Sequence, residues 1–245
     1  MRIDIVTLFP AMCEGYIEES IVGRARRQGL VGIRCHNIRD YSDSGHRQAD
    51  DYPYGGGQGM LLMAEPVARC FDAVIKSIES DGGRRPEFIF MSPKGTPFTQ
   101  PLARELGEKL IAGGNICLLC GHYEGVDQRL LDEYIDQEIS VGDFVLTGGE
   151  LPALAVTDAV ARLLPGVLAG DVSFEDESHW QGLLEHPQYT RPAVWRGREV
   201  PAALLSGHQK NIEEWKRERS LEETRRLRPD LWSLHKTPAG QFSNL

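Results

Sequence analysis

The sequence predicts an α/β domain with a largely parallel sheet, followed by a small helical C-terminal unit. Three observations carry that expectation. Short apolar strands alternate with amphipathic helical periods over the first 165 residues. The alternation stops at Pro165–Gly166, and the stretch Ala169–His179 (AGDVSFEDESH) is acidic and without period. Beyond it Leu204–Leu227 is helical and dense in charge, with Leu205, Ile212, Trp215 and Leu221 as sparse apolar anchors. The expected organisation is a domain over 1–168, a flexible linker over 169–181 and a helical domain over 182–245.

Each element has its own signal. Ile3–Phe9 reads as a strand ended by Pro10, and Val31–Ile38 as a second. Glu87–Met91 (EFIFM), Ile116–Cys120 (ICLLC) and Glu138–Val141 (EISV) are the third, fourth and fifth. Glu65–Ile78 places Val67, Ala68, Phe71, Val74, Ile75 and Ile78 on one helical stripe. Leu102, Leu106 and Leu110 do the same for Leu102–Leu110, and Val126–Ile135 and Leu151–Leu164 follow the same rule.

Bulk properties narrow the class. No apolar run approaches the ~20 residues a membrane span needs. The start, MRIDIVTLFP, has a short apolar run broken by Asp4 and lacks a signal-peptide pattern, so a cytoplasmic location is expected. Five cysteines, Cys13, Cys35, Cys70, Cys117 and Cys120, argue against a disulfide framework. Cys117 and Cys120 form a CxxC, but on a strand positions i and i+3 point to opposite faces, which suits core packing better than chelation. The formal charge of −9 is uneven. Residues 191–245 hold 11 Lys/Arg against 7 Asp/Glu, a net of +4, while residues 1–190 hold 16 against 29. A basic C-terminal quarter can mark a nucleic-acid contact, while a solvated helix face is the commoner meaning of any single charge run.

Five punctuated segments could carry chemistry. Asp51–Met60 (DYPYGGGQGM) lets backbone approach a ligand closely, but no Gly-Lys-Ser/Thr ends it, so it is not a P-loop; a turn and a ligand site both remain open. Ser92–Gly95 (SPKG) follows the third strand, Gly121–Gly125 (GHYEG) the fourth, and Val141–Glu150 (VGDFVLTGGE) runs from the fifth strand into a helix. If those strands are neighbours, the three loops converge on one pocket rich in main-chain groups, suited to an adenosine-type ligand. The fifth segment is the acidic linker with its flanks: Arg162, with Asp158 at i−4 as a plain intrahelical partner, then Asp176, Glu177 and His179, then Gly182–Pro192 (GLLEHPQYTRP).

Taken in order, DIVTLFP, DYPYGGGQGM, SPKG, CGHYEG, VGDFVLTGGE, LLPGVL, GLLEHPQYTRP and PAALLSGH resemble the bacterial tRNA (guanine-N1)-methyltransferase family, TrmD, of the SPOUT class. The resemblance runs from residue 3 to about residue 208, and the tail RRLRPDL is similar to the family's C-terminal end. It implies a deep trefoil knot in the catalytic domain, an exception to the rule that chains do not thread loops. It also implies a homodimer with shared active sites and S-adenosylmethionine bound in the knot. The implied cofactor contacts are Met91, Ser92, Pro93, Gly121, Tyr123, Glu124, Val141, Gly142, Phe144, Leu146, Gly148, Gly149 and Pro152. Tyr54 and Gly55, Gly56 and Gly57 would approach the target base; Tyr189, Arg191 and the C-terminal Lys/Arg would take phosphates of the tRNA anticodon stem-loop. The implied target is the guanosine 3′ to the anticodon.

That chemistry has physical demands. Guanine N1 is a poor nucleophile until its proton leaves, so a carboxylate is needed as general base. Charge then moves to the guanine carbonyl oxygen, where a cation is wanted. The family's Arg falls on Arg162, and its base, an Asp followed by Ser, falls on Glu177 before Ser178, with Asp176 one place earlier. Lys94 stands where the family often has Gln. No dedicated metal ligands are predicted, although a carboxylate-rich site could recruit Mg²⁺. Competing expectations are a SPOUT methyltransferase for another RNA site, and a SPOUT-fold RNA-binding protein without catalysis. A nucleotide-phosphate enzyme built on YGGGQG is disfavoured, because neither Lys nor a Mg²⁺-holding Ser/Thr follows the loop.

Overall fold

The computed structural model describes residues 1–168, 174 and 177–236. The linker expectation for 169–181 therefore falls in part outside the described residues, and the candidate base Asp176 lies outside them altogether. The chain divides into two compact units, Met1–Asp171 and Val172–Leu245.

In chain order the first unit runs β1 (Arg2–Thr7), α1 (Pro10–Ile17), α2 (Ser20–Arg27), β2 (Gly32–Asn37), a 3₁₀ turn (Ile38–Tyr41), β3 (Asp50–Asp51), β4 (Leu61–Leu62) and α3 (Ala64–Ser80). It continues with β5 (Glu87–Pro97), α4 (Gln100–Ile111), β6 (Asn115–Cys120), α5 (Gln128–Tyr134), β7 (Gln137–Ser140) and α6 (Glu150–Ala161). The second unit holds the hairpin β8 (Val194–Trp195) and β9 (Arg198–Glu199), then α7 (Ala202–Leu205), α8 (Gln209–Leu227) and α9 (Pro229–Lys236).

Five strands form one sheet in the order β2-β1-β6-β5-β7, and every pairing is parallel. A parallel sheet must bury both faces, and strand alternation sorts its side chains into two cores. Ile3, Ile5, Ile89, Met91, Ile116, Leu118 and Cys120 pack in the core that includes residues of α1, α2, α4 and α6. Val6, Phe88, Phe90, Cys117 and Leu119 pack in the core built with α3 and α5. The CxxC cysteines are thus split between opposite faces. Asp4, fully buried on β1, is held by Arg2 at 2.7 Å and His36 at 2.6 Å, as a buried charge requires.

Several boundaries differ from the expectations for physical reasons. β1 stops at Thr7 because Phe9 is already the N-cap of α1, with Pro10 in its first turn. The whole α1–α2 pair was not predicted. β5 does not end at Met91: pairing with β7 resumes at Thr96 after a shift, so SPKG is an excursion within a strand rather than a terminal loop. The single helix expected over Leu204–Leu227 is two, parted at Ser206–His208, where Gly207 takes φ +69°.

The five thiols differ sharply in environment. Burial holds Cys70, Cys117 and Cys120 well above the usual thiol range. A hydrogen bond from Cys13 holds the half-buried Cys35 below that range, and the same bond, with burial, raises Cys13. Because the thiolate is the nucleophile, iodoacetamide near neutral pH is expected to label Cys35 first. The other four should react only on unfolding. Peptide mass spectrometry after partial alkylation checks this; equal labelling of Cys117 would contradict it.

Candidate functional site

The strands β6, β5 and β7 are neighbours, so the loops at their carboxyl ends meet. Between them lies a cavity of about 230 Å³. The family resemblance implies thirteen residues for such a pocket: Met91, Ser92, Pro93, Gly121, Tyr123, Glu124, Val141, Gly142, Phe144, Leu146, Gly148, Gly149 and Pro152. All of them line this cavity, together with Phe90, His122, Gly125, Ile139, Ser140, Val145 and Thr147.

Each wall has a local cause. The excursion in β5 swings Ser92 and Pro93 to the cavity, and Ser92 Oγ accepts from the Lys94 amide at 3.2 Å. The loop after β6 passes through Tyr123 at φ +58°, a left-handed backbone that a non-glycine residue holds only when its surroundings enforce it. Glu124 N donates to Met60 O at 3.0 Å, which fastens the end of the glycine-rich 51–60 segment to this wall. The loop after β7 returns to the end of β6: Gly149 N donates to Gly121 O at 2.9 Å, and His122 bridges Gly148. That approach is so close that a Cβ on Gly149 would lie 2.6 Å from Cys120 Cα.

A buried acid underlies this arrangement. Glu150, 1% exposed at the first position of α6, accepts from Thr7 Oγ1 and contacts His122 Nε2 at 2.7 and 2.8 Å. The Phe9 ring lies edge-on to His122 with centroids 4.9 Å apart. Thus the end of β1, the turn after β6 and the start of α6 share one carboxylate. Sequence reasoning missed it, since an acid in a helix's first turn normally reads as an exposed dipole partner.

The chemistry of the cavity follows from its lining. Five glycines line it, Glu124 is its one carboxylate, and no lysine or arginine is among the lining residues. Such a wall offers main-chain groups and apolar surface, and gives a polyphosphate no cation. Among the described residues no group of three or more His, Cys, Asp or Glu is placed to hold a metal.

Other sequence-named residues do not line it. Tyr54 is fully exposed, Gly55 and Gly56 beside it stand in open space, and Gly57 faces the Pro53 ring at 4.0 Å. Arg162 caps the C-terminal end of α6, the opposite end from Gly149 and Pro152. Glu177, Tyr189 and Arg191 belong to the second unit. There the Tyr189 ring lies 6.2 Å from that of Trp215, and Glu177 lines a separate cavity with residues of α8.

Comparison with known proteins bears on all of this. The model of the family described as tRNA (Guanine-1)-methyltransferase TrmD matches residues 1–234. A tRNA (guanine-N(1)-)-methyltransferase of Ruminiclostridium cellulolyticum is 51% identical over 95% of this chain and 97% of its own. Proteins of the same name from Alkaliphilus oremlandii and Clostridium botulinum are 50% and 49% identical, over 94% and 96% of this chain and 92% and 93% of theirs.

Three stability outcomes follow from the geometry. Glu150→Ala strands the Thr7 hydroxyl and His122 in a buried site and is expected to cost about 2–4 kcal/mol in urea unfolding, from about 1–3 per orphaned group. Gly149→Ala should cost about 1–3 kcal/mol through overpacking against the β6 main chain. Gly15→Ala in α1, with nothing within 4 Å of its Cβ, should instead stabilise by about 1 kcal/mol. Equal responses of the two glycine variants would refute the close approach.

Proposed function

The chain belongs to the tRNA (guanine-1)-methyltransferase family, and from that membership we propose that it moves the methyl group of S-adenosylmethionine to N1 of the guanosine 3′ to the anticodon. Methyl transfer to a guanine of tRNA rests on the family match and on relatives at about half identity over nearly the whole chain. The observation that carries the donor assignment is the convergence of three strand-end loops on a glycine-rich cavity whose lining has no cationic side chain. The fit is chemical. A sulfonium donor is itself cationic and needs no lysine or arginine, whereas a nucleotide triphosphate would. Met91, Ser92, Pro93 and the 121–125 and 141–149 loops would hold it, its adenosine against Ile139, Val141, Leu146 and Pro152.

When bound, S-adenosylmethionine supplies an electrophilic methyl group. The chain's own residues do the rest. Glu177, or Asp176 beside it, takes the N1 proton, so that the ring nitrogen presents its lone pair. Arg162 counters the charge that collects on the guanine carbonyl oxygen. Arg162 lies ten residues along α6 from cavity-lining Pro152, about 15 Å at 1.5 Å each. An arginine acting at this cavity is therefore supplied by a second copy, which supports a homodimer with shared sites. Exposed Phe9, Met12 and Leu151 give that copy apolar surface to cover. The deep trefoil knot is part of the same proposal, supported by the tight passage of Gly149 over the end of β6. Tyr54 and Gly55–Gly57 would meet the target base, while Tyr189, Arg191 and the basic C-terminal helices would meet phosphates.

The test is methyl transfer to tRNA transcripts with guanosine or another base beside the anticodon, with and without Mg²⁺. Glu177→Gln with Asp176→Asn should lower turnover about 10²–10⁴-fold, and Arg162→Ala should also lower it, with donor affinity unchanged by calorimetry. Failure to bind the donor, or turnover that survives loss of both acids, would refute this account. Binding of tRNA without the donor would favour an RNA-binding protein lacking catalysis.

A further inference from the structure

We propose that Thr224 and Ser220 of α8 are positioning residues for the general base: they grip the main chain of Leu184, and through it the turn that carries Glu177. The proposal rests on the assignment of the base to the Asp176–Glu177 pair made above.

Thr224 is the one buried residue of the nineteen in α8, and it is polar. Threonine is a weak helix former, and a buried hydroxyl needs partners. Its Oγ1 accepts from the Leu184 amide at 2.8 Å and donates to Ser220 O at 2.7 Å. Ser220, one helical turn earlier, donates its hydroxyl to Leu184 O. Both main-chain groups of Leu184 are therefore taken by side chains stacked on one face of α8.

Leu184's neighbours pass the grip onward. Leu183 O accepts from His179 N at 2.7 Å, and Glu185 N donates to Ser178 Oγ at 2.9 Å. The two residues that follow Glu177 are thus tied on either side of the clamped leucine. His179 holds φ +72°, a backbone that persists only where the surroundings over-determine it. Glu177 itself lines a cavity of about 400 Å³ with Lys216, Arg217 and Ser220, so the acid sits over the same stretch of helix. The Phe174 and Trp180 rings, 4.6 Å apart, flank the acid with one apolar contact, but proton abstraction demands hydrogen-bond reach, a finer placement than a single ring pair gives. Two hydroxyls on a helix provide the missing hold.

The experiment uses the full chain, with steady-state methyl transfer to tRNA, calorimetric donor binding, and the variants Thr224→Val, Thr224→Ser and Ser220→Ala. Thr224→Val keeps the shape and loses the oxygen. It should lower kcat by about 10–100-fold, the range a misplaced reacting group gives, with donor Kd unchanged. Thr224→Ser should restore most of the loss. In the Glu177→Gln, Asp176→Asn background Thr224→Val should add almost nothing, because the residue acts through the acid. Wild-type kcat in Thr224→Val, failure of Thr224→Ser to rescue, or losses that multiply in the acid-free background would each overturn the proposal. If Thr224→Val does not fold, Ser220→Ala at its half-buried position carries the same comparison. Full turnover without either acid would strike down the base assignment itself, whatever the helix variants do.

Discussion

The carboxylate of Glu150 is the constraint on which the first unit turns. A buried acid is expensive unless hydrogen-bonded, and here its partners come from the end of β1 and the turn after β6. The start of α6 places it, where a helix N-terminus favours negative charge. These three segments are far apart in sequence, and no apolar contact would fix their register so sharply. With the carboxylate satisfied, Gly148 and Gly149 are drawn against the end of β6. The loop after β7 then has little choice but to close the cavity. The parallel sheet supplies strand ends side by side; the acid converts their loops into a rigid wall.

The second unit works by a different logic. Its helices carry sparse apolar surface, and α8 buries one residue fully. Order there comes from hydroxyls and main-chain groups rather than from a large core, and the 177–185 turn is its most hydrogen-bonded irregular segment among the described residues. Several of its cations are tied along the helices in ion pairs, Arg219 with Glu222 and Arg226 with Glu223 among them. The glycine-rich cavity belongs to the first unit and Glu177 to the second, so the two are built by separate means.

Much of this was legible in the sequence because its signals are local. EFIFM and ICLLC announce buried parallel strands by apolar runs, and the glycines after them announce loops that approach a ligand. The order of motifs did more than any one of them to place the thirteen cavity residues. What was illegible depends on tertiary partners. The helices α1 and α2 contain Gly15 and Gly23 and bury only two and three residues, too short a stripe to register as helical periods. Glu150 and Thr224 look like ordinary surface residues of helices until their partners, 143 and 40 residues away, are in place. Gly207 did mark the break between α7 and α8, but the surrounding charge run masked it.

Glycines supply a quarter of the positions lining the cavity, and that composition limits what evolution can do under drug pressure. A compound that filled this cavity through peptide N–H and C=O groups would bind atoms that no side-chain replacement short of proline removes. At Gly149 and Gly121, where an added Cβ would come within 3.0 Å of neighbouring atoms, replacement would injure the protein before it excluded the compound. Resistance would have to arise elsewhere, through higher expression, efflux or a loss of dependence on the enzyme.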